Sequence, residues 1–248
     1  LYLGDRLKYS NTYIVSFLIT TIYFLVVFQI WEPFYHVNDD WIIRDIFSGR
    51  YCGIPDAHVY NIIYPFAWLF VQIYKLLPGI DWWGMYLCGT MIVCFFLIMQ
   101  RTLSGDGNFF NVIFVLGIFT VVSLYPTLSF TFTTTGSMLG ITAGFLLLSK
   151  NEHTFHAMAL PLFLFLLSFC TRRDTLPYAI IGVSWYLLVS KNKKQIINIF
   201  ICIAGFAIVI LSMAMSHYTA FLTPEWENYL EFRTLRKAVH DYDGYPLW

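Results

Sequence analysis

This chain of 248 residues is 58% hydrophobic and 20% aromatic, and only 12% of it is charged; a soluble domain could not keep so much apolar surface out of water. With 15 basic and 15 acidic residues its formal net charge is zero, which gives no support to a polyanionic partner, and no nucleic acid is expected. The class that remains is all-α: a polytopic transmembrane helical bundle in contact with the lipid bilayer, read as a single membrane domain over 1–248.

The first apolar run, 11–31, is too long and too aromatic for the core of a cleaved signal peptide. A retained first span is expected, and the start at Leu1 rather than methionine leaves open that the chain is a fragment.

Residues 32–58 form the next stretch, an outer loop that contains Val37-Asn38-Asp39-Asp40-Trp41-Ile42-Ile43-Arg44. Ile42, Ile43, Ile46 and Phe47 recur at helical spacing and predict a short amphipathic interfacial helix. Asn38 or Asp39 suits its N-cap, because side-chain oxygens answer the free N–H groups and negative charge suits the helix dipole. Capping accounts for one carboxylate. A second at a membrane surface is costly to desolvate and points to chemistry. One aspartate would be the general base for an acceptor hydroxyl, and the other would orient it or hold a divalent cation, Mg or Mn.

About 20 apolar residues cross a bilayer core. On that ruler further segments fall at 60–77, 83–100, 109–125, 132–149, 156–170, 176–190 and 196–216, for roughly seven to eight membrane segments with the bundle over 60–216. Pro65 lies in the middle of Asn61 to Tyr74 and suits a broken or tilted helix. The hydroxyls of Pro126-Thr127-Leu128-Ser129-Phe130-Thr131 suit either a sugar site or bonds back to their own helix. Cys52, Cys88, Cys94, Cys170 and Cys202 are spaced singly and read as small hydrophobes rather than metal ligands. Tyr35, Tyr51, Trp82, Trp83 and Trp248 read as interface-belt aromatics.

Directly after the sixth segment comes Thr171-Arg172-Arg173-Asp174. Two guanidinium forks suit phosphate oxygens, as substrate-binding groups; the plain alternative is that they snorkel to the interface and pair with Asp174. The outer tail, 217–248, adds Arg233, Arg236, Lys237 and His240 at helical spacing. Arg233 and Arg236 are weaker candidates for the same phosphate, and an interfacial anchor explains the tail as well.

Basic residues in short loops stay cytoplasmic, so Lys150 and the group Lys191, Lys193 and Lys194 mark inner loops. The Asp39-Asp40 loop, Tyr125 to Ser129, Thr171 to Thr175 and the tail then share the outer face. Eight full crossings contradict the lysines; seven crossings plus one re-entrant segment between 60 and 125 satisfy them.

One span, an outer loop opening with an acidic pair and a short amphipathic helix, then a proline-containing apolar segment together resemble the amino-terminal module of the GT-C superfamily of membrane glycosyltransferases. More narrowly, Asn38-Asp39-Asp40, Ser48-Gly49-Arg50-Tyr51-Cys52-Gly53-Ile54-Pro55-Asp56 and Tyr74-Lys75-Leu76-Leu77-Pro78-Gly79-Ile80-Asp81-Trp82-Trp83 resemble bacterial surface-polysaccharide members, similar to O-antigen glucosyltransferases. The resemblance covers residues 11 to about 100. It implies a bacterial plasma-membrane enzyme with its active site on the outer face, a polyprenyl-phosphate sugar donor and a glycan acceptor. It assigns Asp39 as base, Asp40 as its partner, and Arg172 and Arg173 to the lipid phosphate. Two other classes stay open: a non-catalytic subunit of a polysaccharide assembly system, and a lipid-linked sugar flippase or transporter, which would want ionisable groups near mid-bilayer.

Overall fold

The computed structural model describes residues 2–35, 38–51, 53–104, 109–148, 155–175, 177, 181, 193–229 and 231, and the chain is mostly helical. In chain order the helices are α1 (Tyr2–Ile30), α2 (Asn38–Ser48), α3 (Tyr64–Leu76), α4 (Trp82–Ser104), α5 (Phe109–Ile118), α6 (Leu124–Leu128), α7 (Phe132–Leu148), α8 (Phe155–Thr171) and α9 (Lys193–Ala220). A π-turn at Phe119–Ser123 joins α5 to α6, and a 3-10 turn at Arg173–Thr175 follows α8. Two short strands, β1 (Phe34–Tyr35) and β2 (Ser129–Phe130), pair in parallel with Phe34 opposite Ser129 and Tyr35 opposite Phe130.

Among the described residues three helices are long and apolar enough to cross a membrane: Asn11–Ile30 of α1, Trp82–Ser104 and Ile203–Ala220 of α9. On α1 the side chains of Phe17, Ile22 and Leu25 are about three-fifths exposed, an arrangement that water would punish and hydrocarbon does not. The predicted segments at 132–149 and 156–170 appear as α7 and α8, of 17 residues each. At 1.5 Å per residue these rise about 25 Å, less than the roughly 30 Å of a bilayer core. The segment predicted at 109–125 is not one regular helix, because the π-turn interrupts it. The segment at 176–190, Cys52 and the tail with Arg233, Arg236, Lys237, His240 and Trp248 lie outside the described residues, apart from isolated positions such as 177 and 181.

Pro65 does not break a helix. It sits in the first turn of α3, where the N–H that proline lacks would have had no intrahelical partner and its fixed φ fits.

Helix α4 runs through the centre of the molecule, with α1, α7, α2 and α3 packed around it and α8 against α7. Its Trp83, Leu87, Met91, Cys94, Phe95 and Met99 are all fully buried, a stripe repeating every three or four residues as one helix face must. Phe95 meets α1 through Tyr23, with rings stacked at 4.9 Å, and through Phe24 edge-on at 5.7 Å. Cys94 closes the α7–α8 side with Leu139, Ala143 and Leu164.

The short helix expected in the first outer loop is α2. Ile43 and Phe47 turn inward, and the Phe47 ring stacks on Phe70 at 5.7 Å and meets Trp83 edge-on at 5.5 Å. Burying side chains of this size is worth about 1.5–3 kcal/mol each. Gly49 ends the helix at φ +80°, and a Cβ there would sit 2.7 Å from the Pro55 ring, so only glycine both turns the chain and admits Pro55.

Candidate functional site

The acidic pair is divided by the helix that carries it. Asp40 lies on the inward stripe of α2, three and seven positions before Ile43 and Phe47, and is 0% exposed; Asp39, one position back, is exposed. Asp40 Oδ1 accepts the backbone N–H of Phe132 at 2.8 Å. That N–H opens α7. The next orphan donor of the same turn, the Thr134 N–H, goes to Thr131 Oγ1 at 3.0 Å, an ordinary N-cap. Two side chains from distant parts of the sequence therefore complete one helix end.

Asp40 Oδ2 and Trp83 Nε1 are both buried and have no formed hydrogen bond. The indole nonetheless lies near enough for its N–H to favour the carboxylate's charge, as does Arg172 from further away. Burial is the larger effect: it pushes the Asp40 carboxyl up to about 7, against the lowering influence of the Phe132 N–H, Trp83 and Arg172, with Asp39 raising it further.

Arg172 follows α8 and meets the same turn of α7. Its guanidinium donates to Thr133 Oγ1 and lies 5.3 Å from the centre of the Phe132 ring, while Nε is 3.5 Å from Asp174 Oδ2. Gly136 lets the two elements close up, since a Cβ there would stand 3.2 Å from Arg172 Cβ. The pairing with Asp174 and the approach to the acidic pair thus coexist.

Arg173 goes elsewhere. Its guanidinium stacks on Tyr60, 4.2 Å from the ring centre. Around Tyr60 lie His217, with ring centres 6.4 Å apart, and Phe221 at 6.1 Å. His58 stands beside them, bonded through Nδ1 to Asp56 Oδ1 at 2.6 Å and stacked near Trp226 at 6.0 Å. The structure brings Asp40 and Arg172 to one turn of α7 and sends Arg173 to a separate aromatic corner. Arg233 and Arg236 lie outside the described residues.

A cation shared by Asp39 and Asp40 does not fit these residues. Asp40 directs one oxygen to a backbone donor and holds the other inside the protein, while Asp39 faces out. A hard cation wants several converging oxygens, and among the described residues no group of three or more His, Cys, Asp or Glu side chains comes together.

Several contributors were missed by the sequence reading. Trp83, read as an interface-belt residue, is 0% exposed and packs between Phe47 and Phe70; its spacing with Leu87 and Met91 was the available signal. Tyr35, read the same way, donates its hydroxyl to Asp81 Oδ2 at 2.6 Å, and burial with that carboxylate raises its pKa well above the ordinary tyrosine value. Asp81 also accepts the Gly84 N–H at 3.0 Å and the Tyr74 hydroxyl at 3.2 Å, and Arg44 Nη1 approaches it at 4.0 Å. An aspartate directly before the apolar run of α4 is a cap signal. Gly84 is needed for this knot, because a Cβ there would lie 2.7 Å from the Tyr35 hydroxyl. The knot holds the first loop against α4, and so fixes where α2 presents Asp39. His217 had no sequence signal at all; its partner Tyr64 is 153 positions away.

Comparison with protein-family models, curated proteins and solved structures finds no match to this chain.

Proposed function

We propose that the chain is a membrane glycosyltransferase that moves a sugar from a polyprenyl-phosphate-linked donor to a cell-surface glycan or lipid-linked acceptor at the outer face of a bacterial plasma membrane. The observation that carries this reading is the convergence of Asp40 and Arg172, 132 positions apart in sequence, on the first turn of α7, with Asp39 exposed beside them. A carboxylate open to an acceptor and a guanidinium beside it are the two charges that sugar transfer needs at opposite ends of the reacting bond.

In this mechanism Asp39 takes the proton of the acceptor hydroxyl as its oxygen attacks the anomeric carbon. The bond from that carbon to the phosphate oxygen breaks, its electron pair leaves with the lipid phosphate, and the anomeric centre inverts. Asp40 is a positioning residue here: it ties α2 to α7 and touches no substrate. Arginine charge from Arg172 or Arg173 answers the phosphate that departs.

A path of seven crossings with one re-entrant segment leaves room for helix α3 as the segment that turns back. Its 13 residues rise about 20 Å, too little to cross, and it falls within the interval where the inner lysines require a segment that turns back.

The test is Asp39→Asn in the full chain, reconstituted with a polyprenyl-phosphate sugar and a glycan acceptor. The initial rate should fall at least about a hundredfold, the scale of general-base catalysis, with yield and thermal midpoint unchanged. Transfer at the unsubstituted rate would remove this mechanism. Sugar-lipid movement across vesicles without any acceptor, by a chain that never transfers sugar, would point to transport instead.

A further inference from the structure

Beside the Tyr60 ring stand two hydrogen-bond donors, Arg173 and His217 Nε2, that meet no acceptor among the described residues. The first is Arg173. It is half-buried on the Tyr60 ring, and among the described residues no carboxylate or other acceptor meets its guanidinium. Asp174, next to it in sequence, pairs with Arg172, and Asp56 pairs with His58.

The second donor is His217, and its protonation follows from its partner. The backbone N–H at Tyr64 points to His217 Nδ1 at 3.2 Å. A ring nitrogen that accepts an N–H carries no proton, so the ring's one proton sits on Nε2, and the doubly protonated ring is incompatible with this bond. His217 is 7% exposed and its Nε2 has no partner among the described residues. A buried donor left without an acceptor is costly and calls for an explanation. Arg173 and His217 both lie beside the Tyr60 ring, the guanidinium 4.2 Å and the imidazole centre 6.4 Å from its centre.

A guanidinium fork and a neutral N–H, with Tyr60 and Phe221 beside them, suit an anion with several acceptor oxygens. We propose that Arg173 and His217 form a binding site for a phosphate group, monoester or diester, with Arg173 supplying charge and His217 the buried donor. It deepens the transferase reading, resting on it only for the lipid attached to the phosphate: of the two adjacent arginines, Arg173 is the one left open to hold a ligand.

The full chain, purified in a neutral detergent, is charged with radiolabelled inorganic phosphate or, separately, with radiolabelled phosphatidic acid, and the ligand retained after gel filtration is counted. Arg173→Gln and His217→Asn should each lower retention about tenfold, the loss of one charge-assisted or buried hydrogen bond. Asparagine keeps an acceptor oxygen near the Nδ1 position for the Tyr64 N–H, so the start of α3 is preserved while the Nε2 donor is removed. His217→Gln, which returns a donor near Nε2, should recover part of the retention. Arg50→Gln, a surface charge of the same kind, should change nothing.

Retention of both probes assigns the site to the phosphate alone. Retention of phosphatidic acid only assigns it to a lipid-attached phosphate, and retention of inorganic phosphate only to a free one. The proposal falls if the unsubstituted chain retains neither probe, or if Arg173→Gln and His217→Asn retain as much as it does. Absence of sugar transfer with retention intact would remove the transferase reading alone; transfer intact with retention indifferent to both variants would remove this proposal alone.

Discussion

Two polar junctions a few residues apart in the fold are built to opposite ends. At the start of α7, Asp40 meets the Phe132 N–H, faces the Trp83 indole and feels Arg172, so its one carboxylate is surrounded by donors from three elements. At the start of α3, Arg173 and His217 bring donors to Tyr60 that meet no acceptor among the described residues. The first junction ties α2 to α7 through a formed bond to a carboxylate; in the second, among the described residues, the donors have no such acceptor. Buried polar groups that are matched within the protein specify its architecture, and those left over mark where something else belongs.

The largest test of this contrast is Asp40→Ala. It strands the buried Phe132 N–H at the start of α7 and empties a fully buried position, and should cost about 3 kcal/mol of stability. Unfolding of the detergent-solubilised chain measures it, and a loss under about 1 kcal/mol would mean that the α7 junction is not closed by this carboxylate.

The next effect is one of pH. The Asp40 carboxyl sits at about 7 in the folded chain against an ordinary 3.8, so the folded chain keeps a proton that the unfolded chain has already lost. The stabilisation is complete below the ordinary value and is lost as pH rises through about 7. Between pH 5.5 and 7 stability should drop on the order of 1–2 kcal/mol, read as a falling thermal midpoint. Asp40→Asn keeps an acceptor oxygen for Phe132 and should flatten that slope; an unchanged slope in the variant would place the titrating group elsewhere.

Smallest of all should be the stability cost of Arg173→Gln. With only a ring contact to lose, it should stay under about 1 kcal/mol. The same unfolding measurement checks it, and a cost as large as that of Asp40→Ala would make the second junction structural too, erasing the contrast.

How much of this could be read from the sequence depends on the range of the interaction. The short helix over 38–48 was legible because Ile42, Ile43, Ile46 and Phe47 carry its period, and the apolar runs gave α1, α4 and α9 by length. The division of the acidic pair was also encoded, in the spacing of Asp40 from Ile43 and Phe47, but treating the two aspartates as one motif concealed it. Trp83 was misplaced for a similar reason: amphipathic residue type was weighed above its position on the α4 stripe. Pro65 was a helix start taken for a helix break, since proline favours both and only the capping context separates them. The separation of Arg172 from Arg173 had no local signal. It arises where a 3-10 turn after α8 sends consecutive side chains toward α7 and toward Tyr60. The phosphate role proposed for the arginines rests on residue type, whereas His217 enters only through a partner more than half the chain away.

The parallel pairing of Phe34–Tyr35 with Ser129–Phe130 has a consequence in time. Ribosomes add about 5–20 residues per second, and β2 follows β1 by 95 positions, so the first loop waits roughly 5 to 20 seconds for its mate. By then α3 and α4 have been made and can already hold α2 through Phe70 and Trp83. The Phe132 N–H that Asp40 accepts comes last, so the bond that sets Asp40 apart from Asp39 is the final one of that junction to become available.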